Sequence, residues 1–352
     1  MTDFSILRAT AMVAAAVLTL GTASAAGPQP VADALQRPAL TVQYPARGVM
    51  LGAARAGERV VAVGERGLIV VSDDAGINWR QVHSPVAVTL TAVRFADASN
   101  GVAVGHGGTV LTTTDGGLTW TTRLDGRRVA QLALDAAKAS GDAGRVQGAD
   151  RLVADGPDKP FLDVAIWDAQ HMLVVGAYGL AFHTADGGRT WQPWMDRLPN
   201  PKSLHLYVLR REGNALIVAG EQGLLLRSDD GGASFKALAS PYRGSWFAGE
   251  LLASGEWMLA GLRGNVWRSA DRGATWTQLA VPMPTSITGM VPVSDGGLVF
   301  ANQAGHVLRR DGDRLIPFTR DPLPPLAGLV VAPGGRLLAL GLAGVNSVSS
   351  SR

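Results

Sequence analysis

The chain has 352 residues, 47% apolar and 17% charged, with 44 glycines and no cysteine. Its formal charge of +3 is not gathered into Lys/Arg runs, so no electrostatic footprint for nucleic acid is present. Without cysteine, an exported form must be held by its core rather than by disulfides.

The first residues, MTDFSILRATAMVAAAVLTLGTASAAG, carry Arg8, an apolar run from Ala11 to Leu20 and the small residues Ala23-Ser24-Ala25. They predict a signal peptide over 1–25, cleaved near Ala25/Ala26, and hence a periplasmic location. An uncleaved anchor is the alternative, although the run is short for a membrane span. No cysteine stands near the cleavage point to take a lipoprotein anchor. An irregular segment is expected over 26–38 and a single large body over 39–350.

From Gly48 onward one unit recurs. In its third copy, strand Leu173-Val174-Val175, turn Gly176-Ala177-Tyr178-Gly179 and strand Leu180-Ala181-Phe182-His183 lead into Thr184-Ala185-Asp186-Gly187-Gly188-Arg189-Thr190-Trp191. Asp186 can accept backbone N–H groups as in an Asx-turn, the two glycines allow φ > 0, and Trp191 covers the turn. The same box gives Asp74 and Trp79, Asp115 and Trp120, Asp230 and Phe235, and Asp271 and Trp276. These ten residues are expected to be structural.

Two later units, with strands around Val299 and Leu338, keep the pattern without the box. The markers Gly64, Gly105, Gly176, Gly220, Gly261, Asn302 and Gly341 mostly recur at about forty residues, the length of a four-stranded propeller blade. This predicts an all-β fold, a seven-bladed β-propeller, because such units bury both faces only by packing on one another. The last unit runs out after its third strand. The alternating segment Leu40-Thr41-Val42-Gln43-Tyr44 is expected to supply the fourth and close the ring.

The one long interval is an insertion over 124–159, between blades two and three. Val129, Leu132, Ala133 and Ala136-Ala137 share a helical face that ends at Ser140-Gly141, and a weaker helix follows over 143–154. A helical hairpin is expected, with an unstructured linker as the alternative.

Ser/Thr-x-Asp-x-Gly-x-Thr-Trp resembles the Asp-box, or bacterial neuraminidase repeat. With the Val-Gly strands before each box, the region from Gly48 to Val345 looks most like the photosystem II stability/assembly factor family and its non-photosynthetic relatives. That resemblance implies a periplasmic or lumenal factor that binds a membrane protein or its precursor; the propeller itself is expected to be monomeric. For the non-photosynthetic relatives it also implies an accessory to a transporter of the resistance-nodulation-division (RND) exporter type.

In a propeller, turns between second and third strands share one face with the crossings between blades, and function usually sits there. That mouth would carry Arg66, His106, Tyr178, Glu221, Gln222, Arg243, Arg263 and Gln303. As a ring of unlike residues they are candidates for binding, and the arginines favour a carboxylate-bearing partner. A sialidase-like or other glycosidase is the alternative. Tyr178, Glu221, Arg66 and Arg263 are its nearest approach, but the catalytic set is incomplete, and Glu65 and Glu221 stand three blades apart. No catalytic residue is assigned. No metal and no cofactor is expected, since the six histidines lack paired spacing and no thiolate is present.

Overall fold

The computed structural model describes residues 32–349. The expected signal peptide and its cleavage point lie outside the described residues. No helix among those described is long and apolar enough to cross a membrane.

Seven antiparallel sheets fit a seven-bladed propeller. Their inner strands are Met50–Ala56, Leu90–Phe95, Phe161–Ile166, Leu206–Glu212, Trp246–Leu251, Ile287–Pro292 and Leu326–Val331. Each packs on the next, and Leu326–Val331 packs on Met50–Ala56. Second strands such as Gly101–Gly105 are buried at every residue. The cause is that alternate side chains enter different neighbours. In blade one, Val61 and Val63 join a cluster with Val93 of blade two, whereas Ala62 meets Leu340 of blade seven. A strand covered on both faces therefore reads as a continuous apolar run.

The box works as a closed set of hydrogen bonds. In blade three the Asp186 carboxylate accepts the Thr190 N–H (2.9 Å), the Thr190 hydroxyl (2.6 Å) and the Thr184 hydroxyl (2.8 Å). Gly188, at φ 83°, donates its N–H to the buried Thr184 oxygen, and the Trp191 indole donates to the Gly188 carbonyl (3.1 Å). Asp74, Asp115, Asp230 and Asp271 repeat the carboxylate pattern. The Ser/Thr that opens each box thus has a role that the residue pattern did not assign: it binds the turn from beneath. In blade one the first turn glycine is replaced by Ala75, held at φ 57°.

The expected closure does not occur. Leu40–Tyr44 forms no strand, and the seventh sheet has three strands, Leu326–Val331, Leu337–Gly341 and Gly344–Val348. The alternating segment bonds instead to blade one: the Val42 N–H donates to the Gln81 amide oxygen (3.0 Å), and the Gln81 amide donates to the Leu40 carbonyl (2.9 Å). Leu40 and Tyr44 remain exposed. Packing between the inner strands of blades one and seven joins the ring.

The insertion forms α1 (Gly126–Ser140) and α2 (Ala143–Asp155), capped by Asp125 and Asp142. Its buried face is Val129, Ala130, Ala133, Leu134 and Ala137, turned from the expected stripe so that Leu134 replaces Leu132. Helix α1 packs on α2, on the outer strand of blade three and on the His106–Gly108 turn of blade two. The N-terminal segment meets it there: Asp33 pairs with Arg127, and Leu35 lies over Gly107.

Candidate functional site: the mouth and the channel beneath it

Five turns between second and third strands are single 3-10 turns, Glu65–Gly67, His106–Gly108, Ala177–Gly179, Glu221–Gly223 and Leu262–Gly264. Their central residue is left-handed: Arg66 at φ 55°, Gly107 at 65°, Tyr178 at 55°, Gln222 at 53° and Arg263 at 57°. Non-glycine residues adopt this region sparingly, yet four of the five positions hold a large side chain, and all four are exposed. His106 is exposed at the first position of its turn, and Glu221 is half-buried at the same position. Gln303 is exposed in the turn of blade six. Arg243 is exposed on the crossing into blade five, beside Tyr242, whose hydroxyl donates to the Leu262 carbonyl (3.1 Å). Arg66, Arg243 and Arg263 make no ion pair among the described residues.

The structure joins some of these residues and not others. The Tyr178 N–H donates to His205 Nδ1 (2.9 Å), and the two rings meet edge to face at 4.8 Å. Lys159, the last residue of the insertion, lies 5.2 Å over the Tyr178 ring. His205 also donates its backbone N–H to Glu221 (3.2 Å) and stands 6.1 Å from Tyr207, whose ring meets Phe247 at 5.3 Å. An aromatic path therefore descends from Tyr178 into the centre of the propeller. Among the described residues no hydrogen bond or ion pair joins Tyr178 or Glu221 to Arg66 or Arg263.

Beneath the mouth is a channel of about 390 Å³, which no residue pattern announced. Every inner strand slips register once, between its first and third residues. The bulged residue is Leu51, Thr91, Leu162, Tyr207, Phe247, Thr288 or Ala327, and all seven line the channel. A bulge adds one residue and re-aims its side chain; repeated in every blade, it builds a collar.

Deeper in the channel lie Arg94, Asp163, Arg210 and Glu250, from blades two to five. Asp163 is 3% exposed. Its carboxylate accepts the N–H groups of Val164 (3.0 Å) and Leu209 (3.0 Å), a guanidinium bond from Arg94 (3.3 Å) and a short one from Arg210. Arg210 also reaches Glu250 (3.4 Å). Burial pushes the Glu250 carboxyl up, and Arg210 and Arg94 oppose it incompletely. Burial works against the charge on Arg210, but Asp163 and Glu250 outweigh it. For Arg94, burial prevails and lowers its pKa. Among the described residues no three His, Asp or Glu side chains gather as a metal site.

A family model described as "Photosynthesis system II assembly factor YCF48" matches residues 71–158 and 151–305. The chain belongs to that family. A stretch of 77 residues is 35% identical to the photosystem II assembly lipoprotein Ycf48 of Synechococcus sp. (strain CC9902), covering 22% of this chain and 23% of the relative. The match thus spans about a quarter of that protein. A solved structure described as "YCF48 bound to D1 peptide" superposes with a TM-score of 0.63 at 15% identity, over 90% of this chain and all of the other. A streptogramin B lyase reaches a TM-score of 0.67 at 10% identity, over 91% of this chain and all of the other. At such identities these structures establish the fold alone, which serves enzymes and binding proteins alike.

Proposed function

We propose that this chain is a non-enzymatic, extracytoplasmic propeller that binds an integral membrane protein, or a segment of one, across its mouth, as an assembly or transport accessory factor. The observation that carries the reading is the division of charge at the site. The channel carboxylates Asp163 and Glu250 are engaged by arginines, while Tyr178, Arg66, Arg243 and Arg263 stand open at the mouth. Such a surface suits an extended segment with aromatic or acidic side chains, because among the described residues the Tyr178 ring and three guanidinium groups without ion pairs are exposed there, against Glu65 as the one exposed carboxylate of the five turns. The D1 peptide bound to the structural neighbour supports a peptide ligand for this fold. The lipoprotein among the relatives supports an extracytoplasmic setting. An RND-type exporter as the partner is the finest form of the proposal.

Glycoside hydrolysis is the second reading, favoured by one feature. Glu250 is a carboxyl raised by burial inside a channel, as a general acid would be. Its neighbouring carboxylate, Asp163, is held in four hydrogen bonds and is not placed to activate water. Capture of membrane proteins by wild type and by Arg66→Glu/Arg263→Glu, run beside fluorogenic sialosides and β-glycosides, separates the two. Capture lost on charge reversal, with no turnover, is expected. Turnover abolished by Glu250→Gln or Tyr178→Phe would replace the binding reading with catalysis.

A further inference from the structure

We infer that the open edge of blade seven, Gly344–Val348, takes an extended segment of the bound membrane protein as a fourth strand. The inference rests on the proposed function for the identity of the partner and on the geometry of the edge for everything else.

In the six four-stranded blades the outer strand does more than pair with the third. It pins its blade to both neighbours with two apolar residues on opposite faces, three apart in five blades and four apart across a bulge in blade two, where Trp120 and Leu124 take the roles. In blade one, Trp79 packs on Leu338 and Leu340 of blade seven, and Val82 packs towards Leu90 and Val93 of blade two. In blade four, Phe235 joins the cluster with Leu173 of blade three, and Leu238 the one with Trp246 of blade five. In blade five, Trp276 and Leu279 divide in the same way between blades four and six.

Among the described residues blade seven has no such strand. Gly344–Val348 pairs with Leu337–Gly341 on one side, and among the described residues no strand pairs with the other. Backbone N–H and C=O groups on an unpaired edge are a template for strand addition. Val345 already faces the blade-one cluster and Val348 the blade-six cluster, so the slot is lined on both sides as the other slots are.

Two further features mark the edge. The 3-10 turn Pro45–Arg47 closes its mouth end without pairing, and the Ala46 carbonyl lies so near Gly344 that a Cβ there would collide with it. Of the eight large apolar residues exposed in the described chain, four (Leu40, Val42, Tyr44 and Leu342) lie in the two segments flanking this end. The N-terminal segment is tied to blade one through Ser84 and Gln81, and so is not the missing strand.

The occupant is thus an extended segment running antiparallel to Gly344–Val348, with a large apolar residue, preferably aromatic, followed at the third position by a second apolar one. Its first anchor would pack towards blade six and its second towards blade one.

The test uses the full chain and a synthetic peptide carrying residues 274–282 of this protein, with a control peptide in which Trp276 and Leu279 are serine. Amide exchange at 345–348 should slow at least tenfold with the first peptide and not with the control. Ser347→Pro should weaken both peptide binding and capture of the membrane-protein partner at least fivefold with an unchanged melting temperature. If that variant does not fold, Leu342→Asp at the exposed turn takes its place. Peptide binding without protection at 345–348, or no binding, would overturn the inference. So would protection of 345–348 in the free protein by its own terminal residues. Normal partner capture by folded Ser347→Pro would also overturn it while leaving the mouth-binding function standing. Absence of any capture by wild type, with peptide binding intact, would instead remove the proposed function and leave the edge as a peptide site.

Discussion

Asp163 on the inner strand of blade three receives the guanidinium of Arg210 from the inner strand of blade four, 47 residues away in the chain. Arg94 of blade two also binds Asp163, and Arg210 reaches Glu250 of blade five, so the cluster ties four successive blades. At the position that Asp163 occupies, the third residue of the strand, the other inner strands hold Gly52, Ala92, Val208, Ala248, Gly289 and Gly328. Asp163 is the one charged side chain at this position.

Removing one partner of a buried ionic cluster leaves the others uncompensated. Asp163→Ala should cost roughly 3–5 kcal/mol, because two arginines and the Leu209 N–H lose their acceptor. Equilibrium urea unfolding checks this. Replacing all four charges, Asp163→Leu with Arg94→Met, Arg210→Met and Glu250→Met, should recover much of the loss, since no member of the cluster is then left unpaired.

The box predicts a different hierarchy. Asp186→Ala should cost roughly 1–3 kcal/mol through unpaired turn donors. Trp191→Ala should cost roughly 3–5 kcal/mol through lost burial. Burial works against the Asp186 charge, but bonds from Thr190 and Thr184 hold its pKa at about 2. Its stabilising contribution is therefore complete above the ordinary carboxyl pKa of 3.8 and disappears as pH falls through 2. Urea midpoints of wild type and Asp186→Ala should converge across that window.

His183 carries a second pH dependence of the same direction. Its ring stacks on Trp194 at 4.1 Å, and burial, with His171 and Arg197 nearby, lowers its pKa from 6.5 to about 4. The unfolded chain takes up a proton below 6.5 that the folded chain refuses until about 4, so stability should fall over that interval. His183→Phe keeps the stack and should flatten the slope; an unchanged slope would assign the pH dependence elsewhere.

The fold was legible because its signal is local and repeated. The boxes from Asp74 to Asp271 and the glycines that close six of the seven second strands recur in order, and Ser140-Gly141 marks the helical hairpin. The channel was not legible, since a one-residue bulge decides whether Tyr207 or Phe247 faces the core or the axis, and pattern alone does not place a bulge. Arg94 and Asp163 stand 69 residues apart and look like solvated strand residues until the ring brings them together. The closing strand misled for a related reason. Leu40–Tyr44 alternates as a strand does, but the Gln81 side chain satisfies its backbone instead.

That difference is itself testable. Leu35, buried over Gly107, should cost roughly 2–5 kcal/mol when changed to Ala. Leu40→Ser, at an exposed position, should stay within about 0.5 kcal/mol. A large loss from Leu40→Ser would restore the strand-closure account. Thermal melts of the two variants decide it.

The central claim is that the mouth, not the box face, meets a membrane protein. A photo-crosslinking amino acid placed at Tyr178, exposed on the mouth, and in a second variant at Ile77, exposed in the box turn of blade one, tests it in intact membranes. The account predicts a crosslink from Tyr178 to an extracytoplasmic segment of an integral membrane protein and none from Ile77; capture from Ile77 with none from Tyr178 would contradict it.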